Sequence, residues 1–116
     1  LGAILGPRRK KFFIVTKTGE EFDGTESKYI FTAEHTRMSV ERSLKRLRAD
    51  VLDCVLIHSS RADMHVLNDT DVVPTLEKLK AEGKIRSFGA STYTVEGGKR
   101  AVDHCDAVMV AYNAGY

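Results

Sequence analysis

Four short apolar runs, separated by helical patterns, constrain this chain more than any other feature. They are FFIVT (12–16), LDCVLI (52–57), IRSFGA (85–90) and AVMVAY (107–112). Each is rich in Val, Ile, Leu or Phe, and most do not alternate with polar residues. A strand covered on both faces reads this way, and strands of parallel sheets are the ones covered on both faces.

Between the runs lie three helical patterns. Over about 33–48, Val40, Leu44 and Leu47 recur at spacings of four and three and form one apolar stripe. Thr32 stands where an N-cap belongs, with Glu34 in the first turn. Over about 71–82, Val72, Val73, Leu76 and Leu79 make the stripe, with Thr70 or Asp71 as the cap. Pro74 falls in the first turn, where its missing N–H costs little, and Gly83 ends the helix. The third pattern, about 95–103, is capped by Thr94 and weakened by Gly97 and Gly98. Residues 1–5 read as the end of another helix, stopped by Gly6 and Pro7. Alternation of strands and helices predicts βαβ crossovers and a parallel α/β sheet in one domain. The long stretch 18–31 reads as a loop at a strand end, a common place for function.

Composition narrows the classes further. The 116 residues are 42% apolar and 29% charged, with a net charge of +2, which excludes a disordered chain and a disulfide scaffold. No run approaches the ~18 apolar residues of a membrane helix. The opening LGAILGPRRKKFF sets its apolar residues before its basic ones, the reverse of a secretory signal. With Cys54 and Cys105 only, the chain reads as cytoplasmic with both thiols reduced. The first fifty residues carry 11 basic and 7 acidic side chains, but the only basic block is Arg8, Arg9, Lys10 and Lys11. It reads as a solvated turn rather than a nucleic-acid surface, which would need a broader patch.

Each apolar run is followed by polar residues. Lys17 follows the first, His58, Ser59 and Ser60 the second, Ser91 and Thr92 the third, and Asn113 the fourth. Parallel sheets and barrels bind ligands at the carboxyl ends of their strands, so Lys17, His58, Ser91 and Asn113 are expected to converge there. The four His and two Cys have no metal-ligand spacing. No Gly-x-Gly-x-x-Gly, phosphate loop or Gly-x-Ser-x-Gly elbow occurs.

These residues resemble the aldo-keto reductases, NADPH-dependent enzymes on a (β/α)8 TIM barrel. IVTKTG is similar to that family's third barrel strand with its catalytic lysine. SVERSLKRLRADVLDCVLIHSS resembles its most specific signature, a helix and a strand ending in the catalytic histidine. LEKLKAEGKIRSFGAS resembles the next helix and strand, and AVMVAYN, more loosely, the sixth strand. The resemblance implies that residues 1–116 are the central part of one barrel domain, strands three to six, with the N-terminal and C-terminal parts missing.

It also implies roles. Lys17 and His58 are the catalytic lysine and histidine. Ser91, Thr92 and Met109 stand where the family holds the nicotinamide carboxamide of NADPH. Two of these depart from the common pattern: Thr92 replaces an asparagine and Met109 a glutamine. Asp53 matches a family aspartate with a structural role. The family's acid, a tyrosine, and its lysine-paired aspartate lie on strands before the lysine strand. Tyr29, Tyr93, Tyr112 and Tyr116 do not match that tyrosine. The implied reaction is reduction of a small-molecule carbonyl, with no metal and with no nucleic-acid or membrane partner. This piece alone is expected to be inactive, needing the rest of the barrel. Two alternatives stay open: a non-catalytic accessory barrel of the same family, and an independent flavodoxin-type binding module.

Overall fold

The computed structural model of the chain describes residues 1–111. Tyr112 and Asn113, at the end of the fourth run, lie outside the described residues. A short helix α1 (Gly2–Leu5) and a 3-10 turn (Gly6–Lys11) lead into β1 (Val15–Thr18). Then come β2 (Glu20–Phe22), β3 (Ser27–Tyr29), α2 (Ala33–Leu47), β4 (Cys54–His58) and α3 (Asp63–Asp69). The chain continues through α4 (Val72–Ala81), β5 (Phe88–Thr92), α5 (Val95–His104) and β6 (Ala107–Val110).

β1, β4, β5 and β6 form one sheet in that order, every pair parallel. Successive strands are neighbours joined through helices, which is the connectivity of a barrel segment. One sheet face carries Val55, Ile57, Phe88 and Ala90, all buried against Val40, Leu47, Leu76, Leu79 and Ala101 of the helices. Each large aliphatic side chain so buried contributes about 1.5–3 kcal/mol. The opposite, concave face has no helix on it. Val15 and Met109 there stay 47% and 44% exposed, whereas Cys54 and Leu56 of the same face on β4 are buried.

The caps follow the local chemistry. The Thr32 hydroxyl accepts from the His35 amide at 3.1 Å, and the Thr94 hydroxyl from the Gly97 amide at 2.9 Å. At α4 the Thr70 hydroxyl, not the Asp71 side chain, accepts from the Val72 amide at 3.4 Å. Asp53 has the structural role expected of it: its carboxylate accepts from the Ile14 amide at 2.9 Å, and its carbonyl from the Ser87 hydroxyl at 2.6 Å.

Three elements differ from expectation. β1 begins at Val15, because Phe12 and Phe13 precede the ladder and are 56% and 72% exposed. The stretch 18–31 is not loop throughout, since β2 and β3 pair antiparallel within it. Its turn is built by Asp23, whose carboxylate accepts from the amides of Thr25 and Glu26, both at 2.8 Å. The residues 63–69, given no element by periodicity, form α3, too short for a stripe and held by Val66 and Leu67 in the core. Among the described residues no helix is long and apolar enough to cross a membrane.

Candidate active site

The ladder register decides which side chains meet. Lys17 pairs with Leu56, His58 with Ser91, and Ser91 with Met109. Paired residues in a parallel ladder point to the same side, and residues two apart share a face. Lys17, His58, Ser91 and Met109 therefore project together from the concave face, toward the carboxyl ends of the strands. Lys17 lies within β1 rather than after it, and is exposed. His58 and Thr92 are the last residues of β4 and β5.

Thr92 is not brought to this face. Alternation sends it to the helix side, where it is buried and its hydroxyl has no hydrogen-bond partner among the described residues. Asn113 lies outside the described residues. Buried Ser59 joins the ends of β4 and β5 by donating its hydroxyl to the Ser91 carbonyl.

Three further residues shape the site. Glu20, at the start of β2, sets Oε2 2.7 Å from Nδ1 of His58. Tyr29 meets the His58 ring edge-on, with centroids 6.0 Å apart. Burial, with the charges of Glu20 and Tyr93 nearby, raises the Tyr29 pKa above that of a free phenol. The signal for this hairpin was present in the sequence, as Asp23-Gly24 between short polar-aromatic stretches. Gly19 makes the exit from β1 possible: its φ is +111°, and a Cβ there would sit 2.5 Å from the Phe31 ring and 3.3 Å from the His58 carbonyl oxygen.

The third is Asp63, 1% exposed. Its carboxylate accepts from the amides of Tyr93 and Thr94 at 2.9 Å and from the Thr94 hydroxyl at 2.8 Å. Burial pushes its pKa up, but these donors outweigh it and hold the carboxyl below its ordinary value. The turn after Ser91 and Thr92 is thus pinned from the first residue of α3. No local motif announces this, because the partners are 30 and 31 residues apart.

The profile of the Aldo/keto reductase family matches residues 1–116. The chain belongs to the aldo-keto reductase family. Among its relatives, glyoxal reductase of Bacillus subtilis is 37% identical over 90 residues, covering 78% of this chain and 28% of that protein. L-galactose dehydrogenase of Arabidopsis thaliana is 34% identical over 83 residues, covering 70% and 24%. A solved Pseudomonas aeruginosa structure described as an aldo-keto reductase superposes with a TM-score of 0.98 at 48% identity, over 100% of this chain and 46% of that one. The holo form of an aldo-keto reductase from Bacillus halodurans gives 0.80 at 28% identity, over 96% and 38%. The chain therefore spans about a quarter of these curated relatives and less than half of the solved structures. Within that span the four-stranded parallel sheet is a segment of the family's barrel.

The nicotinamide cofactor of aldo-keto reductases finds a partial fit. Ser91 offers the concave face a hydroxyl that can donate and accept, whereas Met109 beside it offers only a weak sulfur acceptor. Thr92, with its hydroxyl on the helix side, does not add to that set as placed. Among the described residues no group of three or more His, Cys, Asp or Glu could hold a metal ion. Burial pushes the Cys105 thiol up to about 11, so it stays neutral near pH 7 and is a poor nucleophile.

Proposed function

We propose that this chain supplies strands three to six of an NADPH-dependent aldo-keto reductase that reduces an aldehyde or ketone to an alcohol. One observation carries the reading: Lys17, His58, Ser91 and Met109 share the helix-free face at the carboxyl ends of adjacent strands. The relatives that are reductases or dehydrogenases support it. So does a 26% identical Klebsiella pneumoniae aldo-keto reductase, solved in complex with NADPH, over 96% of this chain with a TM-score of 0.67. A cytoplasmic setting belongs to the proposal and rests on the two free cysteines.

When bound, the nicotinamide supplies the hydride. Lys17 is the catalytic cation: an ammonium beside the phenol that the family carries upstream favours phenolate and makes that phenol a better acid near neutral pH. His58 positions the substrate oxygen by hydrogen bonding from the floor of the site. Ser91 holds the carboxamide end of the cofactor. The departures at Thr92 and Met109 leave that end with fewer donors, so most cofactor affinity comes from elsewhere on the molecule.

The test uses the complete barrel. Lys17→Met is expected to lower kcat by roughly 10² or more, the ordinary scale of an acid–base contribution. His58→Ala is expected to lower kcat/KM while leaving NADPH affinity, read by fluorescence titration, near wild type. A His58→Ala protein whose chief defect is loss of NADPH binding would show the histidine's role to be assigned wrongly.

A further inference from the structure

We infer that Glu20 is a specificity-determining residue: its charge makes the substrate site acidic beside His58, so the site takes uncharged carbonyl compounds and disfavours those that carry a carboxylate. The inference deepens the proposed reductase function and rests on the reading of His58 given there. Glu20 Oε2 lies 2.7 Å from His58 Nδ1, and both side chains are 24% exposed. A charge acts through distance alone, so the placement matters without any hydrogen bond between the two groups. Among the described residues no lysine or arginine pairs with Glu20, whereas Glu21 beside it is held by the Arg42 guanidinium and by His35 Nε2 at 3.0 Å.

The hairpin sorts its charges by side. In β2 and β3 successive side chains point to opposite sides, and residues opposite each other in the ladder share one. The register pairs Glu20 with Tyr29, Glu21 with Lys28 and Phe22 with Ser27. Glu21 and Lys28 therefore share the side fastened to α2. Glu20, Tyr29 and Phe22 share the other side, the one that meets His58. There the Tyr29 ring stands edge-on to the imidazole and stacks on Phe31, with centroids 6.0 and 6.2 Å apart. Burial first, and then the Glu20 charge, holds the Tyr29 phenol above its ordinary value, so Tyr29 stays neutral near pH 7 and adds no charge of its own. The cations lie elsewhere. Lys17 pairs at the level of Leu56, two residues or roughly 6–7 Å below His58 along the strands. Arg61, on the loop after β4, lies over the Tyr93 ring, 5.7 Å from its centroid. A carbonyl compound whose oxygen is held by His58 thus meets two aromatic side chains and a carboxylate that no lysine or arginine offsets. For two like charges roughly 8 Å apart, with an effective dielectric constant of about 20 to 60, the repulsion amounts to about three- to thirtyfold in affinity.

The experiment uses the complete barrel, saturating NADPH and two aldehydes of nearly the same shape: 4-nitrobenzaldehyde, which is neutral, and 4-carboxybenzaldehyde, which is anionic. The readout is the ratio of their kcat/KM values, which cancels any general loss of activity in a variant. It is taken in wild type, Glu20→Gln, Glu20→Lys and Glu26→Gln, the last removing a charge elsewhere on the hairpin. Wild type is expected to favour the nitro compound. Glu20→Gln should raise the relative kcat/KM of the carboxy compound by about three- to thirtyfold, and Glu20→Lys should raise it further. Glu26→Gln should leave the ratio at its wild-type value. Raising the salt from about 0.1 M to 1 M shortens the screening length from about 10 to 3 Å, and should narrow the discrimination more in wild type than in Glu20→Gln. A ratio that moves less than about twofold in both Glu20 variants would overturn the inference. So would an equal shift in Glu26→Gln, or a wild-type discrimination that salt leaves unchanged. No turnover with either aldehyde, or wild-type turnover in His58→Ala, would instead overturn the reading of the site, which keeps the two failures apart.

Discussion

At the scale of single residues, Asp63 is the side chain on which the site's geometry most depends. It gathers three donors from the β5–α5 turn, and Gly97 packs so closely over its carboxylate that no Cβ fits there. Asp63→Ala would remove the buried acceptor of the Tyr93 and Thr94 amides and the Thr94 hydroxyl, at a cost on the order of 3 kcal/mol. A urea titration of the complete barrel measures it, and a loss under 1 kcal/mol would refute this account. The pH dependence has a definite sign. Because the folded state holds this carboxyl below its ordinary value of about 3.9, its contribution is complete above that value. It is lost as pH falls through the lower folded-state value. Wild type should therefore lose stability over that acid window, and Asp63→Asn should lose less.

At the scale of elements, the β2–β3 hairpin is the unit that distinguishes this site. Its stability is local at the tip, through Asp23, and tertiary at the base, through Glu21 with Arg42 and His35. The Arg42 guanidinium and, less strongly, His35 hold the Glu21 carboxyl below its ordinary pKa. The pair is about one-third exposed, so Arg42→Ala should cost less than about 1 kcal/mol globally. Its expected effect is local: faster amide hydrogen exchange across β2 and β3, with β4 and β5 unchanged. Equal acceleration in β4 would mean that the hairpin and the sheet open together. The helices α2, α4 and α5 were legible because their stripes and caps lie within one stretch of chain. α3 was not, since seven residues carry too little periodicity and its stability comes from Val66 and Leu67 in a core assembled by distant segments.

At the scale of the whole molecule, the sheet has two edge strands, β1 and β6, and an uncovered concave face bearing Val15 and Met109. Open edges and exposed apolar surface drive association. The 116 residues expressed alone are expected to self-associate, and to show no NADPH-dependent reduction of 4-nitrobenzaldehyde. Sedimentation velocity and absorbance at 340 nm measure these two outcomes. A monodisperse monomer, or turnover above the protein-free rate, would contradict them.

Local chemistry by itself determined the parallel α/β class, the order of strands and helices, and the caps at Thr32 and Thr94. It also placed Lys17, His58 and Ser91 at or near strand ends, since a change from apolar to polar residues marks where a strand leaves the core. Which of these residues face one another was decided by the ladder register, which pairs Lys17 with Leu56 and His58 with Ser91, residues 39 and 33 apart in the chain. A period of two then sent Ser91 to the concave face and its neighbour Thr92 to the helices. The contacts of Glu20 with His58 and of Asp63 with the β5–α5 turn arose only in the folded chain. A carboxylate shows no periodicity of its own, and its partner is chosen by what the fold brings within hydrogen-bond reach.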